Sequence, residues 1–323
     1  MQIALGIDCD VAAAKTYVEN FPEAKFICKD IRRISTRSLD EKIIRRPGEF
    51  LLFAACAPCQ PFSKQRREQR RNDLRATLLG QVLRFIRRHK PHFVFFENVP
   101  GMQNAPQEER IFHRVVQRLQ AMGYIVESRI VESRVYGVPQ RRRRLAVMAS
   151  RMGSVSFPKP THGPGTRKAF STVWEWIGDL PPIGAGQSHP RVPNHRAAGL
   201  SALNSRRIAA TPPGGSRADW PRRLRLRCHD EYRGHSDVYG RMRKAAPASG
   251  LTTRCISLSN GRFGHPTQNR AISVREAASL QTFDRSFIFH GNLTSMARQV
   301  GNAVPVFLAR AFGREFVAMA SRC

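Results

Sequence analysis

The sequence predicts an α/β fold of the doubly wound kind, a mostly parallel sheet with helices on both faces, joined to a smaller irregular domain. Three observations carry this reading. Through the first half of the chain, apolar runs of strand length alternate with stretches of helical periodicity. The helical stretches carry start and stop signals of their own. Beyond residue 150 the alternation gives way to a long segment rich in Pro, Gly, Ser and Arg, and regular pattern returns only at Ser273.

The elements follow in order. "IALGID" (3–8) is a short apolar strand, and "VAAAKTYVENF" (11–21) reads as the helix after it. "EFLLFAAC" (49–56) has the length of a buried strand. Asp73 suits the N-cap of "LRATLLGQVLRFIRRH", whose leucines, Val82 and Ile86 recur at helical spacing before Pro91. "HFVFFENV" (92–99) is the next strand. "EERIFHRVVQRLQAM" (108–122) is a helix with Gly123 at its C′ position. "YIVESRIV" and "RLAVMAS" add two strands. The irregular stretch includes "TPPGGSRADWPRRLRLR" and one short strand pattern, "LTTRCISLS" (251–259). Trp174, Trp176 and Trp220 and several apolar runs favour an ordered domain there over a disordered insert. Ser273 with Glu276 three residues on is a capping box, and Pro305 fits the first turn of a final helix, "VPVFLARAFGREFVAMA". The domains expected are 1–155, catalytic and cofactor-binding, 156–268, irregular, and 269–323, a return to the first.

The 323 residues carry 54 Lys and Arg against 24 Asp and Glu, a formal charge of +30, and most of the basic residues are arginine. Arginine forks match phosphates and guanine edges, so nucleic acid is the partner this composition favours. Codon bias accounts for arginine over lysine but not for the shortage of acids. Seven cysteines in a chain this long indicate a reducing compartment rather than a disulfide scaffold. "MQIALGIDCD" has no basic n-region, and Asp8 interrupts its apolar stretch. With no apolar run of membrane-spanning length, a cytoplasmic protein is expected.

In open parallel sheets, ligands bind outside the carboxyl ends of the strands. The strands here lead into Asp8, Asp30, the loop holding Cys59, and Glu97. The pair Cys56 and Cys59 admits three readings. A redox CxxC opens a helix directly, whereas Pro61 and a basic stretch follow here. A zinc site needs four ligands, and Cys228–His229 is poorly spaced to supply the rest, so no metal is expected. The remaining reading has Cys59 as a single nucleophile and Cys56 as a buried strand residue.

Five segments together resemble the ordered motifs of the DNA (cytosine-5) methyltransferases. They are "PCQPFS" (58–63), "ENVPG" (97–101), "YGVPQRRRRLAVMAS" (136–150), "REAASLQTF" (275–283) and "QVGNAVP" (299–305). "DLRATLL" (73–79) and "TVWEWIGDLPPI" (172–183) fall where similar family segments lie. The resemblance implies a Rossmann-like methyltransferase sheet and methyl transfer from S-adenosylmethionine to carbon 5 of a cytosine in double-stranded DNA. It assigns the nucleophile to Cys59, the ring-holding carboxyl to Glu97, and adduct stabilisation to Arg142 and Arg144. Alternation along a strand would put both arginines on one face. For the cofactor it implies Asp8 at the ribose hydroxyls, Asp30 and Ile31 at the adenine, and Asn302 with Ala303 near the methionine end. Residues 156–268 would be the target-recognition region. A cognate restriction endonuclease is an expected partner.

The sequence also departs from the family. Its first strand resembles the family's second, and the Gly-rich turn that backs the methionine moiety is not found. The start lies upstream, another chain supplies that strand, or the gene is a decayed fragment. The corresponding alternative function is a catalytically impaired DNA-binding protein of the same fold, with a redox enzyme built on Cys56 and Cys59 as a distant third.

Overall fold

The computed structural model describes residues 1–43, 45–56, 78–100, 106–226 and 237–322. Cys59, the Asp73 cap and Cys228–His229 lie outside the described residues. The chain divides into two compact units: residues 1–132, 143–159 and 310–323 form one, and 133–142 with 160–309 the other. Residues 269–309 therefore pack with the irregular segment.

In the first unit, strands β1 (Leu5–Asp8) and β2 (Lys25–Cys28) pair in parallel, joined by helix α1 (Val11–Asn20). Asp10 caps α1, its side chain accepting from the N–H groups of Ala12 and Ala13. A four-stranded sheet runs in the order β3 (Leu52–Ala55), β4 (Phe93–Asn98), β7 (Arg143–Ser150), β5 (Ile125–Glu132). β4 is buried at all six positions and its side chains alternate. Val94 and Phe96 pack with Leu79, Leu83 and Ile86 of α2 (Leu78–His89) and with Phe112, Val115 and Leu119 of α3 (Pro106–Ala121). On the opposite face Phe93 and Phe95 meet Phe316 and Phe312 of α8 (Val306–Ala320), with ring centroids 5.5 and 5.0 Å apart. Helices thus cover both faces, as the doubly wound class requires. α3 ends as its sequence indicated: Gly123 takes φ +83°, and the Tyr124 N–H returns to the Leu119 carbonyl.

The sheet is mixed rather than mostly parallel. β3–β4 is parallel, but β4–β7 and β5–β7 are antiparallel. The cause is the connection between β5 and β7, the stretch Ser133–Arg142, which is too short for the crossover a parallel pair needs. A second difference concerns Cys56. β3 stops at Ala55, so Cys56 lies past the strand end and is exposed rather than buried.

The second unit has little sheet. β6 (Gln140–Arg141) and β8 (Ala248–Ser249) form one short parallel ladder. "LTTRCISLS" is not a strand. Its apolar members Cys255, Ile256 and Leu258 are buried, but the backbone closes turns, Cys255 N to Thr252 O and Ser257 N to Arg254 O, both 3.1 Å. Apolar residues here are buried through turns rather than through a ladder. The core is α6 (Val274–Leu280), buried at every position and surrounded by α4 (Val173–Ile177), α7 (Leu293–Asn302), Leu251, Phe263 and Ile272. α5 (Ala202–Ala209) packs to one side.

Arginine side chains take the place of strand ladders here. Arg241, 4 % exposed, donates to the carbonyls of Thr211, Ile208, His265 and Gln268. Arg275 donates to Pro193, Asp284 and Phe287 carbonyls, and burial lowers its pKa to about 10, so it stays charged at neutral pH. The Arg207 guanidinium donates to Leu224 O and lies over the Trp220 and Tyr239 rings, 5.2 and 5.7 Å from their centroids.

The capping box of α6 is present and extends into a buried network. Ser273 N donates to Glu276 Oε2 and Glu276 N to Ser273 Oγ, while Arg270 grips both carboxylate oxygens at 2.7 Å. Burial opposes ionisation of Glu276, but Arg270, His265 and the Ser273 N–H outweigh it and hold the pKa below the usual carboxylate value. His265 Nδ1 accepts from the N–H groups of Thr267 and Gln268, which fixes the tautomer with hydrogen on Nε2, 3.5 Å from Glu276. Burial lowers its pKa to about 4, with Glu276 opposing. The folded form prefers neutral His265, so the unfolded chain takes up the proton first, near 6.5. Stability present above that pH is lost as pH falls toward 4, at up to ~1.4 kcal/mol per pH unit for this one proton. Denaturant melts between pH 4.5 and 7 are expected to show this slope in the native chain and to lose about one proton's worth of it in His265→Gln.

Candidate active site

Strand ends in the first unit carry the expected acids. β4 ends in Glu97–Asn98, and the β4–β7 register sets Glu97 opposite Ala146. Arg144 lies two residues from Ala146 on the same face, the diagonal position across the pair, within reach of a long side chain. The result is an ion pair, Arg144 Nε to Glu97 Oε1 at 2.8 Å. Glu97 is 4 % exposed. A carboxylate held this way at a strand's carboxyl end can accept hydrogen bonds from a polar ligand, and the guanidinium beside it favours negative charge there.

Arg142 behaves differently from Arg144. The strand pattern breaks at Arg142, between β6 and β7, so the two do not share a strand face. Arg142 is 3 % exposed, and within the second unit Nη1 donates to Leu251 O at 2.8 Å and to Gly301 O at 3.1 Å, with Nη2 also 3.1 Å from Gly301 O. It stands with a glutamine pair that sequence reasoning missed. Gln140 Nε2 donates to Leu280 O (3.0 Å) and Gln281 Oε1 (2.6 Å), Gln140 Oε1 accepts from Leu251 N, and Gln281 Nε2 donates to the carbonyls of Val300 and Ala303. These bonds fix the backbone at the end of α7. Asn302, exposed, is the last residue of that helix and Ala303 its C-cap. The missed signal was a glutamine closing a helix whose positions are all buried, "SLQTF".

The remaining cofactor candidates lie at the carboxyl ends of the β1–β2 sheet. Asp8 closes β1 opposite Cys28, and its Oδ1 accepts from Asp10 N at 2.9 Å. Asp30 caps the 3₁₀ turn Ile31–Arg33 and holds the Arg32 guanidinium, which lowers its pKa to about 2. Desolvation, then the charges of Asp8, Asp30 and Asp10, raise the pKa of the Cys9 thiol, so three carboxylates converge on this rim. The apolar residues of these strands, Leu5, Ile7 and Ile27, pack with Ile31 against Ile34, Leu39 and Phe85, and the carboxylates of Asp8 and Asp30 stand at or past the strand ends. Most of Asp30's capacity is spent on Arg32, which leaves Asp8 the more available acceptor.

The fold is the Rossmann-like α/β fold of known methyltransferases. It is similar to that of a protein described as a DNA modification methyltransferase encoded within an Escherichia coli prophage, with a TM-score of 0.75 at 18 % identity over 99 % of this chain and 93 % of that one. DNMT2 of Spodoptera frugiperda is also similar, with a TM-score of 0.61 at 15 % identity over 98 % of this chain and 92 % of that one. Residues 1–318 match the family of C-5 cytosine-specific DNA methylases, and the chain belongs to that family. The type II methylase M.HgiDII of Herpetosiphon aurantiacus is 38 % identical, covering 97 % of this chain and 88 % of its own length. M1.HphI, a type II methyltransferase of Haemophilus parahaemolyticus, is 28 % identical over 98 % and 80 %.

Gly301 offers a direct test of the α7 end. A Cβ there would overlap the backbone carbonyl of Thr252. Gly301→Ala is expected to cost about 1–3 kcal/mol, the usual penalty of overpacking, read as a lower denaturation midpoint.

Proposed function

We propose that the chain methylates carbon 5 of a cytosine turned out of double-stranded DNA, through a covalent bond between Cys59 and carbon 6. The ion pair between buried Glu97 and half-buried Arg144 is the observation that carries this. Cytosine's carbon 5 is a weak nucleophile. Attack by the Cys59 thiolate on carbon 6 pushes the ring electrons toward N3 and O2, and carbon 5 gains enamine character. Glu97 holds N3 and the exocyclic amine and supplies a proton to N3, while Arg144 keeps the carboxyl aimed and offsets the charge that builds on the ring. S-adenosylmethionine supplies the electrophilic methyl. Loss of the carbon 5 proton to a base then expels the thiolate while N3 returns its proton to Glu97, restoring the ring and the free cysteine. Stacked inside the duplex the base is out of reach, so flipping precedes chemistry.

Arg142 serves this reaction at a distance, by setting the Gly301 carbonyl and with it Asn302 and Ala303, the residues assigned to the donor's methionine end. Asp8 takes the ribose hydroxyls, and Asp30 with Ile31 the adenine. Residues 156–268 read the DNA, and exposed Arg222 and Arg223 suit phosphates. The type II names of the relatives favour a modification enzyme whose partner is a cognate endonuclease.

Cys59→Ser is expected to abolish transfer of tritiated methyl groups into unmethylated DNA, and Cys56→Ala to be mild; equal losses would return the redox pair to consideration. With 5-fluorocytosine in the DNA no proton can leave carbon 5, so a band of protein bound to DNA is expected on a denaturing gel, and its absence would overturn the covalent route.

Glu97→Gln should slow transfer by roughly 10²–10⁴-fold, the usual worth of a positioned acid–base group. Single-turnover rates check this, and a change of only a few-fold would remove Glu97 from the chemistry.

A further inference from the structure

One side of α2 fastens the segment that follows β2. Residues 31–40 have no strand ladder; they form two 3₁₀ turns, Ile31–Arg33 and Thr36–Leu39. Their backbone carbonyls find donors on α2 instead. Arg84 Nη2 donates to Ile31 O at 2.7 Å and to Ile34 O at 3.1 Å. One turn on, His89 Nε2 lies 3.0 Å from Thr36 O, and since a carbonyl only accepts, this nitrogen carries the hydrogen. Arg88 pairs with Asp40 through two guanidinium nitrogens. Beneath these contacts Phe85 is buried with Ile34 and Leu39 and packs with Ile31, and the Arg84 guanidinium lies over the Phe85 ring, 4.9 Å from its centroid.

The three polar contacts are not equivalent. The Arg88–Asp40 pair is exposed, with side chains 38 % and 41 % accessible, and such pairs contribute little. Arg84 is half-buried and reaches the backbone of Ile31 itself. Among the described residues, Ile31 O otherwise accepts a long 3₁₀ bond from Ile34 N, 3.3 Å. Removing the guanidinium therefore leaves two carbonyls short of a donor and frees the turn that Asp30 caps.

We propose that Arg84 is a positioning residue for the methyl donor: from α2 it sets the backbone at Asp30–Ile31 and so preorganises the place where the adenine binds. The inference rests on the assignment of adenine to Asp30 and Ile31. It makes donor affinity depend on a helix residue that touches neither donor nor DNA. Because the effect is on how the donor is held rather than on the reacting atoms, it belongs in binding and KM, not in the chemical step.

The test uses the full chain with Arg84→Met, which keeps the stem and loses the donors, Arg84→Lys, which restores a donor of similar reach, and Arg88→Met as a control for loss of an α2 charge. Calorimetric titration of S-adenosylhomocysteine gives donor-site affinity, and turnover with tritiated S-adenosylmethionine and unmethylated genomic DNA separates KM from kcat. Arg84→Met is expected to weaken S-adenosylhomocysteine binding and raise the donor KM by about tenfold, the worth of one or two hydrogen bonds, with kcat at saturating donor held within about twofold. Arg84→Lys should recover most of the affinity, and Arg88→Met should change little. Asp30→Ala is measured alongside. If it weakens donor binding and Arg84→Met does not, the positioning role is overturned and the adenine assignment stands. If neither weakens it, the assignment falls and the inference with it. A drop in kcat and midpoint with donor affinity unchanged would make Arg84 merely structural.

Discussion

Arg241 sits with its guanidinium buried among four backbone carbonyls, and the second unit depends on that kind of contact throughout. Irregular chain must still satisfy its buried polar backbone, and a segment poor in strands cannot do so by ladders. A guanidinium has five donors in a rigid fork and can answer several carbonyls from different segments at once. Arg142, Arg270 and Arg275 serve in the same way around α6. Lysine, with its three donors on a single nitrogen at the end of a flexible stem, would not span the same carbonyls.

This changes how the composition is understood. The +30 charge points to a polyanionic partner, yet a share of the arginine is structural and buried. The Arg270–Glu276 pair shows the cost being met: each carboxylate oxygen and the Ser273 N–H is satisfied, so the buried charges are compensated rather than stranded. Other arginines, among them Arg222 and Arg223, are exposed.

The candidate chemistry follows from strand register in the same direct way. Glu97 is buried because β4 is covered on both faces, and it is paired because the short Ser133–Arg142 connection turns β7 back antiparallel, which brings Arg144 to the diagonal position. A parallel β7 would present Arg144 to the other end of the sheet. The departure from an all-parallel sheet is thus what places the guanidinium beside the acid.

Local pattern by itself determined a good deal of this protein. Most strands and helices of the first unit, the Ser273–Glu276 capping box, the Gly123 stop and the carboxyl-end location of Asp8 and Glu97 were legible, because each depends on neighbours within a turn or a strand. So was the family, through motifs whose order survives in the chain. Tertiary structure decided the rest. Arg142 and Arg144 are alike in sequence, yet one meets carbonyls 109 and 159 residues away and the other a carboxylate across a ladder. "LTTRCISLS" reads as a strand, but its backbone closes local turns instead. Arg84 reads as one more basic residue on a helix until the turn at Ile31 folds against it. In each case the deciding partner is distant along the chain, and spacing carries no information about which distant carbonyl a guanidinium will reach.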